Sequence, residues 1–280
     1  MRPLFQCEKI AELENCLYAA RKELRRYWAS ILAGLPDFKK NQKPDYSKTS
    51  YDLDCQKIIL DCLSNISLSI TIFSEELENP TRTLGHTEEF YLLIDPLDGT
   101  HNAISGFPAF TSSVALSHNG IYIYSWVYDI SRDLSYSAAL GEGAFLQSPI
   151  IIKRLQTRNV NKIEDMRIAF HRPKSHKDQI RMEQLIWAAH KIRVCSCSSL
   201  EICLIAAGAL DAFIDIGKPG HERSCDIAAA ELILKEAGGA LFDASGTPRA
   251  SLPPSNAALS DYGTLIALSS KELISIVTSH

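Results

Sequence analysis

An apolar run that ends in a pair of aspartates constrains this chain more than any other feature. Residues 90–94, FYLLI, have the composition of a buried strand, and DPLDGT follows at once. Because Pro96 cannot extend a strand by a backbone N–H, the chain must turn at this point. In such a turn the carboxylates of Asp95 and Asp98 can converge, and the Leu97 carbonyl can join them. Hard divalent cations prefer oxygen ligands of this kind.

The end of the same motif has a second possible use. Gly99 allows the backbone to approach a ligand closely, and a helix that starts near Thr100 would offer free N–H groups to an anion. A purely structural role is the alternative, because Asp-Pro and Asp-Gly are common turn dipeptides and Asp98 could cap a helix. The motif alone leaves both interpretations open.

Three further acidic positions lie where predicted elements end or begin. Glu75 and Glu76 follow a predicted strand at residues 69–73, Asp226 begins an alanine-rich helix, and Asp52 lies near the start of another helix. Taken singly, such residues are typical of solvated charges or of helix caps that the helix dipole stabilises.

Composition and charge exclude several classes of partner. The chain of 280 residues has a formal net charge of -4, and no basic stripe predicts binding to a nucleic-acid polymer. The most apolar stretch, residues 200–216, is interrupted by three carboxylates, so we expect no membrane span. The early glutamates Glu8 and Glu12 are unlike a signal peptide. We therefore expect a cytoplasmic protein whose eight cysteines are mostly buried thiols.

Periodicity predicts a mixed α+β first half, residues 1–150, and a layered α/β second half, residues 151–280. A long amphipathic helix should end near Gly34, and a second should begin near Asp52. The turn dipeptide Asn119-Gly120 indicates a hairpin. Strands are predicted at 69–73, 90–94, 110–117, 121–128, 134–138, 167–170, 212–216 and 265–268, a loop at 79–88, and later helices at 180–189, 200–209 and 227–237.

Four segments in order resemble the motifs of the inositol monophosphatase superfamily. DPLDGT at 95–100 matches the family's D-P-[IL]-D-G-T in full, and residues 225–229, CDIAA, are similar to its W-D-x-A-A. Residues 43–52 are similar to the family's K-x-D…A-D segment, and residues 74–76 to its G-E-E. The resemblance covers roughly residues 40–270.

The resemblance implies an αβαβα sandwich of the sugar phosphatase type, with residues 1–150 as the metal-binding half and residues 151–280 as the substrate side. It implies two or three Mg²⁺ ions, a water nucleophile that a metal activates, and a homodimer. The implied metal ligands are Glu75, Asp95, Asp98, Asp226 and the Leu97 carbonyl. Gly99 and Thr100 would bind phosphate beside Asp98 and Asp226, while Thr100, Asp52 and Glu75 would orient the attacking water.

The sequence departs from the family pattern without losing any implied ligand. The departures bear on the shape of the substrate pocket more than on the chemistry. Ser74 replaces a glycine, Cys225 a tryptophan, Tyr51 a small residue, and Gln56 a common glutamate.

The substrate is expected to be a small phosphomonoester, either inositol-1-phosphate or fructose-1,6-bisphosphate. The competing interpretation is a nucleotidase acting on 3′-phosphoadenosine 5′-phosphate. It rests on the HRPKSH segment at residues 171–176, where Arg172, Lys174 and His176 could meet a second phosphate. These three side chains could equally lie on a solvent-facing loop without binding a phosphate. A catalytically silent binding protein is the third alternative, although every ligand type is present.

Overall fold

The computed structural model describes residues 5, 7–33, 50–64, 66–77, 81–82, 90–173, 175–216, 223–249 and 263–279. Several predicted features lie outside these residues: the end of the first helix at Gly34, the motif positions 43–49, Lys174, and most of the loop predicted at 79–88.

The described residues form seven α-helices and two sheets. The helices are α1 (Glu8–Ala33), α2 (Ser50–Leu63), α3 (Thr100–Ser105), α4 (His176–Ala188), α5 (Ser198–Ala206), α6 (Ser224–Glu236) and α7 (Ile274–Ser279). The eight-stranded sheet contains β1 (Thr71–Ser74), β2 (Thr81–Arg82), β3 (Phe90–Asp98), β4 (Thr111–His118), β5 (Ile121–Asp129), β6 (Leu134–Ala139), β7 (Gly143–Gln147) and β8 (Ile152–Arg154), in the order β2-β1-β3-β4-β5-β6-β7-β8.

The five-stranded sheet has the order β10-β9-β11-β13-β12. Its strands are β9 (Arg167–Phe170), β10 (Lys191–Arg193), β11 (Ala212–Asp215), β12 (Ala240–Phe242) and β13 (Leu265–Leu268). Strands β9, β10 and β11 are parallel, whereas β13 runs antiparallel to β11 and β12.

Three apolar clusters hold these elements in five layers. Leu17 of α1 and Ile59 of α2 pack on one face of the eight-stranded sheet, and the opposite face meets α5 and α6. Helices α5 and α6 also cover the inner face of the five-stranded sheet, whose outer face carries Met182 of α4 and Val277 of α7. Helix α6 is buried nearly all round because it lies between two sheets. The predicted αβαβα sandwich is therefore confirmed.

Most predicted elements are found within a few residues of their expected bounds. The hairpin turn is present, with Asn119 and Gly120 both at positive φ, 50° and 79°. The expected loop at 79–88 contains the two-residue strand β2, which pairs with β1. Sequence reasoning missed helix α7 and strand β7, whose first residues lie in the GEGAF segment, which predicts a turn. It also missed the strands β8, β10 and β12, since three residues carry too little periodicity to be recognised. No described helix is both long and apolar enough to span a membrane.

Candidate active site

The bulged end of β3 places Asp95 at the centre of the site. The register between β3 and β4 shifts between Asp95 and Asp98, so the strand bulges where Pro96 interrupts it. The Leu97 N–H donates to Asp95 Oδ1 at 2.9 Å, which fixes the carboxylate. Asp95 is only 1% exposed. The sequence motif thus folds into a buried acidic turn rather than a surface loop.

Glu75 reaches Asp95 because β1 runs parallel to β3. Ser74 lies opposite Ile94 in the register, and the Glu75 N–H donates to the Ile94 carbonyl at 3.1 Å. The two carboxyl groups are then in hydrogen-bonding contact. Burial, followed by the negative charges of Glu75, Asp226 and Asp98, raises the pKa of Asp95 well above its ordinary value.

Helix α6 brings Asp226 to the same place from the second half of the chain. Asp226 lies in the first turn of α6, where the Arg223 N–H donates to its Oδ2 at 2.8 Å. Ligand atoms of Glu75, Cys225 and Asp226 all lie within 4.8 Å of one another. The Arg223 guanidinium forms an ion pair with Glu75. Burial raises the pKa of Glu75, and the charge of Arg223 opposes that rise.

Asp98 turns away from this group toward helix α5. Its Oδ2 accepts from the Ser199 N–H at 2.8 Å and from the Ser199 hydroxyl at 2.5 Å, and the Cys197 thiol lies at 3.3 Å. The Leu97 carbonyl oxygen, another predicted ligand, lies 3.0 Å from Thr100 Oγ1. Asp98 therefore borders the carboxylate cluster, with one oxygen fixed by α5.

Thr100 and Asp52 meet across 48 positions of sequence. Thr100 Oγ1 donates to Asp52 Oδ1 at 2.6 Å, although Asp52 belongs to α2 and Thr100 begins α3. Asp52 is buried at 4% exposure. The hydrogen bond that the sequence comparison implied is present, and the catalytic role of the pair remains a prediction.

Gly99 occupies a position that only glycine fits. Its φ is 84°, and a Cβ built there would lie 2.7 Å from the Ala109 carbonyl oxygen. Both the backbone conformation and the close approach of the β4 lead-in exclude a side chain. The tight packing keeps the turn between Asp98 and Thr100 fixed.

Arg172 lies outside these contacts, exposed on the segment between β9 and α4, and its role in phosphate binding stays a prediction. Its neighbour His171 is held between two buried acids. His171 Nε2 lies 3.3 Å from Glu201 Oε2, and Nδ1 lies 3.8 Å from Asp215 Oδ2.

Several residues of the site were not found by sequence reasoning. The contacts of Ser199 with Asp98 and of Arg223 with Glu75 carry no local signal, because the residues of each pair are more than a hundred positions apart. Two departures from the family pattern, Ser74 and Gln56, proved to be partners: Ser74 Oγ donates to Gln56 Oε1 at 2.6 Å in a buried contact.

The donor set fits a divalent cation. Asp95 is fully enclosed among acidic groups, and a buried carboxylate is costly unless a positive charge compensates it. Arg223 compensates Glu75 but approaches from the half-exposed side of the cluster. A hard cation bound by these oxygens would relieve the mutual repulsion of Asp95, Glu75 and Asp226.

Comparison with known proteins agrees with this geometry. Residues 10–274 match the family model described as the inositol monophosphatase family. Inositol monophosphatase 1 of Solanum lycopersicum is 30% identical over 201 residues, covering 71% of this chain and 72% of that protein. The fructose-1,6-bisphosphatase of Pyrococcus furiosus is 31% identical over 185 residues, covering 66% of each chain.

Solved structures show the same fold. The extragenic suppressor protein suhB from Bartonella henselae superposes with a TM-score of 0.76 at 23% identity, covering 95% of this chain and 97% of that chain. The inositol monophosphatase of Thermotoga maritima gives a TM-score of 0.73 at 23% identity, covering 94% of this chain and 95% of that one.

Proposed function

The chain belongs to the inositol monophosphatase family, and from this membership and the buried carboxylate cluster we propose a Mg²⁺-dependent phosphomonoesterase acting on a small sugar or cyclitol phosphate. Members of the family are metal-dependent phosphatases, and the relatives include both inositol monophosphatases and fructose-1,6-bisphosphatases. The observation that carries the proposal is the enclosure of Asp95 among Glu75, Asp226 and Asp98.

The proposed Mg²⁺ ligands are the carboxylates of Glu75, Asp95, Asp98 and Asp226 together with the Leu97 carbonyl. When bound, Mg²⁺ neutralises the negative charge that spreads over the phosphate oxygens during transfer. The charge of the cluster supports a hard cation, and two or three ions would suit its number of oxygens.

The chain's own residues prepare the nucleophile and hold the phosphate. Thr100 Oγ1 gives its proton to a hydrogen bond with Asp52, so its lone pairs remain to accept a hydrogen bond from water. A water held in this way is oriented for attack. As the water gives a proton to Thr100 Oγ1, the hydroxyl proton of Thr100 passes to the Asp52 carboxylate. The N–H groups of Gly99 and Thr100 would donate to the phosphate oxygens.

The acids beside His171 disfavour a second phosphate at the 171–176 segment, so they favour a substrate with one phosphate, such as inositol-1-phosphate, over a bisphosphorylated nucleotide. Glu201 and Asp215 are buried, at 0% and 2% exposure, and lie beside the His171 ring. Their negative charge repels a phosphate at this segment, whereas the Glu201 oxygens are already acceptors for the Cys195 and Cys197 N–H groups, at 3.0 and 3.4 Å. Glu201 is also anchored near the cluster, since it lies in α5 two residues after Ser199.

Phosphate release with and without Mg²⁺ tests the proposal. Wild-type protein should hydrolyse inositol-1-phosphate or fructose-1,6-bisphosphate faster, in kcat/KM, than 3′-phosphoadenosine 5′-phosphate. EDTA should abolish turnover, and Asp95→Asn should nearly abolish it because a central charge is lost. Full activity in excess EDTA would reject the metal mechanism, and preference for the nucleotide would reject the substrate class. Mg²⁺ binding without turnover of any substrate would favour a binding protein.

We also propose a homodimer that works in the cytoplasm. A reducing compartment is supported by the cysteines, because all eight are free thiols. Sedimentation equilibrium of the purified protein tests the dimer, and fractionation of the source cells tests the compartment.

A further inference from the structure

The thiol of Cys225 lies among the acidic groups of the candidate metal site. Cys225 is 1% exposed, and its Sγ donates to Asp226 Oδ1 at 3.2 Å. One oxygen of Glu75, one oxygen of Asp226 and the sulfur of Cys225 lie within 4.8 Å of one another. The oxygens prefer hard cations, whereas the sulfur prefers softer transition metals.

The three donor residues lie on well-packed parts of the fold, at the start of α6 and at the end of β1. Cys225 and Asp226 belong to the first turn of α6, which is enclosed between the two sheets. The Cys225 carbonyl accepts from Ser113 Oγ of β4 at 3.3 Å. Glu75 follows directly after β1. The donors are therefore presented by the end of one sheet strand and the first turn of a buried helix.

The Cys225 sulfur and the Asp226 oxygen lie close enough to bind one ion. In zinc sites the sulfur and oxygen ligands lie about 2.3 Å and about 2.1 Å from the metal, so two such ligands of one ion are at most about 4.4 Å apart. The 3.2 Å between Cys225 Sγ and Asp226 Oδ1 is well within that limit. Glu75 has two carboxylate oxygens, so it can bind an ion with one while Arg223 keeps the other.

We propose that Cys225, Glu75 and Asp226 form a mixed sulfur and oxygen site that binds thiophilic divalent cations such as Zn²⁺ and Cd²⁺. This inference rests on the proposed function, because the site shares Glu75 and Asp226 with the Mg²⁺ ligands. Binding forms a metal–sulfur bond and releases the thiol proton to solvent, with no change of oxidation state. A thiophilic ion held there excludes Mg²⁺ and inhibits turnover.

Cadmium titration followed by ultraviolet absorption tests the sulfur ligand directly. The first equivalent of Cd²⁺ should produce a sulfur-to-cadmium charge-transfer band in the wild-type protein, and excess Mg²⁺ should diminish it. Cys225→Ser should lose the band and bind Cd²⁺ about tenfold more weakly or worse, which corresponds to ~1.4 kcal/mol. Its Mg²⁺ affinity should stay close to that of wild type, because a hydroxyl is a harder donor than a thiol.

Cys62→Ser is the matched control. Cys16 of α1 and Cys62 of α2 are partly exposed thiols that pack against the same apolar cluster, so they are the competing place for a soft ion. This control should retain the Cd²⁺ band. Retention of the full band in Cys225→Ser, or its loss in Cys62→Ser, would overturn the proposal.

Zinc X-ray absorption on the wild-type protein needs no variant. One equivalent of Zn²⁺ should show one sulfur among its bound atoms, and oxygen or nitrogen atoms alone would contradict the inference. Mg²⁺-dependent phosphate release is measured separately. Normal turnover without a sulfur ligand would remove this inference alone, whereas a sulfur ligand without turnover would remove the proposed function alone.

Discussion

Asp98 Oδ2 accepts two hydrogen bonds from Ser199, one from the backbone N–H at 2.8 Å and one from the hydroxyl at 2.5 Å. The two residues are 101 positions apart, and they join the turn after β3 to the start of α5. The same hydroxyl contacts Thr111 Oγ1 of β4 at 2.6 Å. Through Ser199, the second half of the chain fixes the orientation of an acid in the first half.

Ser199→Ala should therefore weaken Mg²⁺ binding. The variant keeps the backbone N–H but loses the hydroxyl that holds Asp98, and loss of such a supporting contact costs roughly 10–100-fold in metal affinity or activity. Activity measured as a function of Mg²⁺ concentration should show a higher half-saturating concentration.

Ser137→Ala, which removes a buried hydroxyl from β6, is the control and should leave Mg²⁺ dependence unchanged. An unchanged Mg²⁺ dependence in Ser199→Ala would show that the N–H alone orients Asp98.

Thr100→Ala should lower kcat while leaving the fold intact. The side chain is half-buried and its hydroxyl donates to Asp52. Because the proposed mechanism uses this hydroxyl to orient the attacking water, its loss should cost roughly 10²–10⁴-fold in rate. Thr100→Ser keeps the hydroxyl and should retain most of the activity. Steady-state kinetics measure kcat of each variant, and a thermal melt checks that each variant is folded. A fully active Thr100→Ala would exclude the Thr100–Asp52 pair from catalysis.

Gly99→Ala should destabilise the protein and inactivate it. A non-glycine residue at φ 84° carries roughly 1–3 kcal/mol of backbone strain, and the new Cβ would also lie 2.7 Å from the Ala109 carbonyl. Gly141→Ala is the matched control, because Gly141 has φ 78° with nothing within 4 Å of its added Cβ. Urea unfolding should show a larger decrease in the free energy of unfolding for Gly99→Ala than for Gly141→Ala. Equal decreases in the free energy of unfolding would mean that the backbone at Ala109 moves to accommodate the added methyl group.

The local chemistry of the site could be predicted from the sequence, because it is concentrated in contiguous motifs. A strand at 90–94 and a turn that needs Gly99 were expected, and both are present, but the chain does not turn at Pro96: β3 continues to Asp98 through a bulge. The five layers of the fold were predicted through the family resemblance, whereas periodicity predicted individual elements such as the amphipathic helix α1. The division of the chain into halves at residue 150 remains a prediction.

The partners of those motifs could not be predicted, because they depend on packing between distant elements. Gln56 and Ser74 each depart from the family pattern, and each looked like an isolated change. Their side chains form a hydrogen bond because α2 packs beside β1. Cys225 likewise looked like a change in pocket shape, and only the position of α6 places its sulfur beside Glu75 and Asp226.

Arg172→Ala separates the two substrate classes. A guanidinium can grip a phosphate with two hydrogen bonds, so a nucleotidase that used Arg172 for a second phosphate would lose activity selectively on 3′-phosphoadenosine 5′-phosphate. The exposed position of Arg172, beside a histidine held by Glu201 and Asp215, argues against that role. We expect kcat/KM for inositol-1-phosphate to change less than about threefold, as is usual for surface substitutions.

Arg193→Ala, at the exposed end of β10, is a control for the loss of a surface charge. Two results together would reject the cyclitol or sugar phosphate as the substrate. Wild-type protein would prefer the nucleotide, and Arg172→Ala would selectively lose nucleotide hydrolysis. The second phosphate would then be assigned to the 171–176 segment.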